Sequence, residues 1–455
     1  MDQNMASGNL AAEGLSHVRP GGPFLSPAAR TWGLRMRSVI ASRRFAAIAA
    51  RVRIFGAWNR AGAPMVMAIA CALAAGGLSG CAGQSGPAAQ VPKAPEPTVE
   101  APTDGDWWKT ASDPLLADLI ARGIAADTDL ACRAARLDAQ NEEDAAAARR
   151  LTGKVRKLVG GEQDLVRDAT RRADAYAYAQ ARAERAAAVA LAYVEVRRLQ
   201  KVLVLRTERL DQFRDNAAIA EFRRQAGLVT GIDGGIGSSM AGVADADLSA
   251  TRARFDAARA NLARMTGMED AALLAALGEA GDVPDLGRDP PGVADEGPLH
   301  RADLQARRYR LLASIEREKM SQADIDAAEA HRGDPGTPPL LRDGLAEMDK
   351  AELAARAEIA ATRQSLVTLD TREAALAQSS ERARRAVQDA RSAYRAGMGD
   401  FATLYVAEAS ALSVEEARLG IRAERASAMI RLHLQRGDGW SATDLTPPPG
   451  GAGCD

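Results

Sequence analysis

Aromatic residues make up only 4% of the 455 positions, and cysteine and histidine occur four times each. So little aromatic surface argues against a β-sandwich, a β-propeller or a stacking platform for nucleic-acid bases. Cys71, Cys81, Cys132 and Cys454 show no CxxC spacing, and His17, His300, His331 and His433 never fall at a metal-ligand interval. That distribution supports neither a zinc site nor a disulfide framework, so no metal or cofactor is expected. A charge excess is also lacking, since 59 Lys and Arg stand against 60 Asp and Glu. Nothing in that balance favours a polyanionic partner, and no nucleic acid is expected. What the chain has instead is 47% hydrophobic residues, with alanine dominant, and 26% charged residues. Small apolar residues mixed with charges predict long, closely packed helices.

The one marked apolar run lies between Met65 and Ala75 and ends in Leu78-Ser79-Gly80-Cys81. It is shorter than the ~20 residues that a membrane-spanning helix requires. Arg43, Arg44, Arg51, Arg53 and Arg60 precede it, which gives the basic flank, apolar centre and small-residue exit of a secretory signal. Cysteine after the small pair resembles the lipobox of bacterial lipoproteins. That resemblance implies cleavage before Cys81, a diacylglycerol on its sulfur and a third acyl chain on its amine. Residues 82–104 contain Pro87, Pro92, Pro95, Pro97 and Pro102 among Gly, Ala and Gln, the composition of a tether. Ala82, rather than Asp, resembles the sorting pattern of outer-membrane lipoproteins. Residues 1–60 lack apolar periodicity, and Met36 is an alternative start.

Beyond Trp107 the pattern is helical. A first helix is expected from Pro114 to Arg150, with Ser112-Asp113 as cap and the Trp107-Trp108 pair as its hydrophobic approach. A second, from about Asp164 to Asn216, carries Val189, Val196, Leu203 and Leu210 seven residues apart, with Ala192, Leu199 and Phe213 between them. Arg206 interrupts this coiled-coil seam. Leu345 to Tyr394 repeats the device through Ile359, Leu366, Val387 and Tyr394, alternating with Met348, Ala355, Leu369, Leu376, Ala383 and Ala390; Glu352, Glu373 and Ser380 interrupt it. Helices of this length would reach roughly 80 Å, and alanine along their seams suits close neighbours.

Each long helix ends in a comparable turn, Gly227-Leu228-Val229-Thr230 and Gly397-Met398-Gly399-Asp400, with the glycines 170 residues apart. Return helices are expected over Ala244–Met268 and Phe401–Gln435. The spacing predicts a tandem duplication of one helical hairpin. The intervening Gly231 to Ser239, rich in glycine, lacks the Lys-Ser/Thr of a phosphate loop and is expected to belong to the tip turn. His433 sits where an imidazole suits a helix C-terminus without further function.

Trp107-Trp108, Asp113-Pro114-Leu115-Leu116, the Gly227-Leu228 turn followed by Ala260 to Gly267, Leu299 to Ala306, and Tyr394 to Phe401 followed by Gly437-Asp438-Gly439-Trp440 together resemble the TolC superfamily of outer-membrane efflux proteins. The similarity is greatest to its NodT-type lipoproteins of resistance-nodulation-division systems. The resemblance spans about residues 78–440. It implies a mainly α fold of tandem antiparallel coiled-coil hairpins in a TolC-like periplasmic domain, and a homotrimer forming a twelve-helix tube. It also implies a periplasmic adaptor docked at tips built by Gly227, Leu228, Thr230, Gly397, Met398 and Asp400, an inner-membrane efflux pump behind it, and an outer-membrane location through the acyl anchor on Cys81. The implied organisation is a signal and extension (1–80), a tether (81–104), two helical repeats (105–287 and 288–440) and a disordered tail (441–455).

Two departures accompany the resemblance. The transmembrane strand pair usual in each half has no room in the short gaps at Leu151–Gln163 and His331–Asp343, so strands are expected to be short or absent. Acidic gating residues beyond the second turn are replaced by Thr403 and Val406, leaving only Asp400 nearby. Three function classes follow: an export conduit, a non-transporting coiled-coil scaffold lipoprotein of the same descent, and an enzyme. No nucleophile, acid–base pair or metal site supports the last.

Overall fold

The computed structural model describes residues 105–109, 111–150, 161–279, 281–288, 300–331, 334–446 and 454. Cys81, its signal and the Pro-rich tether lie outside them. Among the described residues there is no strand, and no helix is long and apolar enough to cross a membrane.

A short 3-10 turn, Trp107–Lys109, leads to α1, Pro114–Ala125. Asp113 caps it by accepting from Leu115 N (3.1 Å) and Leu116 N (3.4 Å), and Pro114 occupies the first turn, where its missing N–H is no loss. The expected single helix to Arg150 is divided. Asp127 accepts from Leu130 N (3.0 Å) and starts α2, Thr128–Arg150. The break is fixed from outside, because Arg185 reaches Asp127 (3.1 Å), Gly123 O (3.0 Å) and Met265 O (2.6 Å).

Helix α3, Gly161–Gln225, runs for 65 residues, about 98 Å at 1.5 Å per residue. Its seam is buried at Val189, Val196, Leu199, Leu210 and Phe213. Arg206, which interrupts the seam, instead pairs with Glu416 (2.6 Å) and donates to Thr251 Oγ1 (2.9 Å), tying three helices together. The return helix α4, Gly231–Thr266, starts 13 residues before the expected Ala244, so Gly231 to Ser239 is helix and not turn. Glycine costs up to about 1 kcal/mol per position in a helix. At Gly237 that cost is offset by proximity: a Cβ there would stand 3.0 Å from Ala217 Cβ and 3.2 Å from the Phe401 ring. Helix α5, Asp270–Leu277, follows.

The second half contains α6 (Ala302–Arg317), α7 (Gln322–Ala330), α8 (Pro339–Arg395), α9 (Phe401–Arg436) and a 3-10 turn at Ala442–Leu445. Helix α7, opened by a capping box between Ser321 and Asp324, was not expected from the sequence. The 170-residue spacing extends well beyond the turns. It separates Gly231 from Phe401, Thr266 from Arg436, and the left-handed glycines Gly267 and Gly437 that end the two 36-residue return helices. Helix α3 packs on α4 and α8 on α9, while α3 also contacts α6 and α9, so α3 joins the two hairpins. Two of the three interruptions in the α8 seam are matched across the helix pair, Glu373 by Arg422 (3.0 Å) and buried Ser380 by Glu415.

The main core gathers Trp107, Trp108, Leu116, Leu119, Ile120, Tyr193 and Ile430. Beside it the chain ends of the domain meet backbone to backbone: Gly439 N donates to Gly105 O (2.6 Å), and Arg182 bridges Gly439 O (2.6 Å), Asp106 (3.0 Å) and Asp444 (3.1 Å). His433 stacks on Trp107 with centroids 4.8 Å apart and holds Asp438 at 2.7 Å.

Past α9, Ser441 and Asp444 form a capping box at the last 3-10 turn. Against the expectation drawn from cysteine spacing, Cys132 and Cys454, 322 residues apart, form a disulfide that ties Cys454 to α2. Spacing could not reveal it, since the two residues meet only through the tertiary fold. Cross-linking distant residues restricts the unfolded chain, typically by about 2–4 kcal/mol. We expect Cys454→Ser to lower the unfolding free energy by that amount in guanidinium titrations, and dithiothreitol to bring the parent to the same value. A parent insensitive to reductant would contradict the bond's contribution.

Candidate docking tips

The two tip turns are built alike. At the end of α3, Leu228 N donates to Arg223 O (2.9 Å) and Gly227 N to Arg224 O (3.0 Å), with Gly227 at φ 72. At the end of α8, Met398 N donates to Ala393 O (2.9 Å) and Gly397 N to Tyr394 O (3.1 Å), with Gly397 at φ 74. These are 6→1 helix endings that an L side chain would strain, which is why glycine occupies both.

The fold places the turns side by side. Arg223 donates to Tyr394 O (3.2 Å), its guanidinium lies 4.9 Å from the Tyr394 ring centroid, and a Cβ built at Gly397 would be 3.7 Å from Arg223 Nη2. Beneath them Ala220, Tyr394, Phe401 and Leu404 form a small core. Above, Leu228 is 69% exposed and Met398 82%, joined by exposed Phe222 and Ile232. Large apolar side chains left in water at the end of a helical bundle make this end a candidate for contact with a partner.

The polar tip residues differ in role. Thr230 begins α4 without a side-chain capping bond. Asp400 caps α9, accepting from Thr403 N (2.6 Å) and Thr403 Oγ1 (3.1 Å). The Thr403 backbone N–H, then its hydroxyl, hold the Asp400 carboxyl below its ordinary pKa. The cap is therefore complete above the ordinary aspartate range and is lost only as pH falls through the depressed value. Asp400 is engaged in capping, and Thr403 is its partner. On the outer surface Glu221 is held down to about 2 by Arg224 and Gln225.

Just below the tips lies a polar cluster that sequence reading missed. Glu408, fully buried, accepts from Arg391 (2.8 Å) and Asn216 (3.0 Å), with Arg209 at 3.7 Å. It joins α3, α8 and α9. The signal was present, since Phe401, Leu404, Glu408 and Ala411 keep one helical face, with a carboxylate where an apolar residue belongs. Removing one partner of such a buried group typically costs about 3–5 kcal/mol.

No protein-family profile matches the chain, and no curated protein is similar to it. Solved structures are. The outer-membrane channel OprN is 22% identical over 74% of this chain and 93% of its own, with a TM-score of 0.61. The outer membrane protein VceC of Vibrio cholerae is 17% identical, covering 74% of this chain and 99% of its own, with a TM-score of 0.59. This is a TolC-like fold. The open state of the MtrE outer membrane channel of Neisseria gonorrhoeae shares it at 19% identity, over 73% of this chain and 91% of its own, with a TM-score of 0.54.

Proposed function

We propose that this chain is an outer-membrane lipoprotein subunit of a tripartite efflux system. Three copies form a periplasmic helical conduit for small molecules, and the paired tips receive a periplasmic adaptor that links the conduit to an inner-membrane pump. One observation carries the reading: two duplicated glycine turns lie against each other at one end, capped by exposed Leu228 and Met398, in a fold shared with outer-membrane channels. Gly397→Trp together with Gly227→Trp should weaken crosslinking to the adaptor about tenfold, some 1.4 kcal/mol. Helicity and the trimer should persist, because a Cβ at Gly227 meets nothing within 4 Å and one at Gly397 meets only the flexible end of Arg223 at 3.7 Å, which leaves backbone strain confined to the two turns. Crosslinking at full strength in the double variant would remove the tips from the docking site.

A second reading is a scaffold lipoprotein of the same fold that does not transport. It is favoured by the ten residues that separate α2 from α3, and by the Pro-containing segment, eight residues long, between α7 and α8. Neither has length for two strands of the ~9–11 residues that cross a bilayer. Conductance of the purified protein in a planar bilayer favours the conduit; silence with an intact trimer favours the scaffold, or a conduit that borrows its pore.

A further inference from the structure

A groove of about 460 Å³ opens between α3, α8 and α9, some turns away from the tips. Its wall carries six cations: Lys201, Arg209, Arg384, Arg391, Arg418 and Arg422. Three carboxylates line it, Glu208, Asp282 and Glu415. The pairing within this wall is uneven. Glu415 serves both Arg384 (2.8 Å) and Arg418 (3.8 Å), and Glu408 behind the wall serves both Arg391 (2.8 Å) and Arg209 (3.7 Å). Lys201 has Asp282 at 3.5 Å, and Arg422 has Glu373 at 3.0 Å.

Arg209 is the member left short. Its Nε and Nη1 are buried and make no hydrogen bond, and Arg418 Nε is in the same condition. Burial acts on Arg209 by lowering its pKa, the mark of a charge poorly compensated where it stands. Buried donors without acceptors are rare in folded proteins, and an anion is one of the ordinary reasons for them. Guanidinium groups are the usual partners of planar or tetrahedral oxyanions, which they bind through paired N–H donors. The volume falls within the range of small-molecule sites and exceeds what a single inorganic ion fills.

We infer that this groove binds a compact multivalent oxyanion, an organic phosphate or polycarboxylate, which pairs with the guanidinium groups that reach the groove, Arg384, Arg391 and Arg422 foremost, and offsets the positive excess of the wall that leaves Arg209 poorly compensated. The inference does not rest on the export reading, because a scaffold with this fold would carry the same groove. Calorimetric titration of the purified full-length protein with inorganic tripolyphosphate and, separately, citrate tests it. At least one probe should saturate near one per chain, and which one binds distinguishes phosphate from carboxylate chemistry. Arg209→Gln and Arg384→Gln should each weaken binding about tenfold or more. Arg384 is 56% exposed, so its variant keeps the test valid even where replacing Arg209 disturbs folding. Arg254→Gln, on an exposed part of α4 outside the groove, should leave binding unchanged. No saturable binding by either probe, or an equal loss in the Arg254 variant, would overturn the assignment in favour of diffuse surface charge.

Discussion

Gly437→Ala should destabilise the protein by about 3 kcal/mol or more, whereas Gly227→Ala, at a comparable backbone conformation, should cost about 1–2 kcal/mol. Both glycines are left-handed, at φ 91 and φ 72. Their surroundings differ. A Cβ at Gly437 would lie 2.6 Å from the His300 carbonyl carbon and 2.7 Å from Arg301 N, both backbone atoms that cannot rotate away. At Gly227 only the conformational penalty acts, because the space is open. The Gly437 contact is the joint at which the end of α9 meets the start of the second repeat, and Trp440 Nε1 donates to His300 O (3.2 Å) in the same place. Guanidinium denaturation followed by circular dichroism measures both variants, and equal losses would mean that the close approach contributes nothing.

Cys81→Ala should move the protein from the membrane fraction to the soluble periplasm, an almost complete redistribution. Among the described residues no helix is long and apolar enough to cross a bilayer, and the segments between α2 and α3 and between α7 and α8 are too short for a strand pair. A wall of strands through a membrane must close so that no backbone donor or acceptor faces lipid, and a subunit without strands cannot share in it. On the lipoprotein reading proposed above, acyl chains on Cys81 would then supply the attachment. One chain binds a bilayer only marginally, and two or more hold it stably. Mass spectrometry of the mature N-terminus should find three acyl chains on the parent. Firm membrane retention of the alanine variant would restore an attachment through the protein itself.

The long helices and their partnering were legible because a seven-residue apolar period is a property of local sequence. Val189, Val196 and Leu210 lie where that period puts them. The tips were legible for a similar reason, since a left-handed helix ending demands glycine and the duplication shows it twice. Boundaries set by distant residues were not legible. Arg185 fixes the break at Asp127 from another helix, and Ala217 and Phe401 make Gly237 suit a helix interior. Glu408 was passed over because a lone carboxylate on an apolar face becomes meaningful only once Arg391 and Asn216 converge on it. The Cys132–Cys454 pair is the extreme case, its members sharing no local pattern at all.

That disulfide also bears on the order of events during biogenesis. Four cysteines can pair fully in three ways, and only one of those keeps Cys132 with Cys454. Removal of the signal would take Cys71 away, and thioether formation would close Cys81 to oxidation. A chain lipidated and cleaved before it is oxidised would keep two thiols and a single possible partner for each, so the bond would need an oxidant but no isomerase. Oxidation ahead of lipidation would expose both structural cysteines to two wrong partners. Maturation at one end of the polypeptide would thus govern the fidelity of a covalent link at the other.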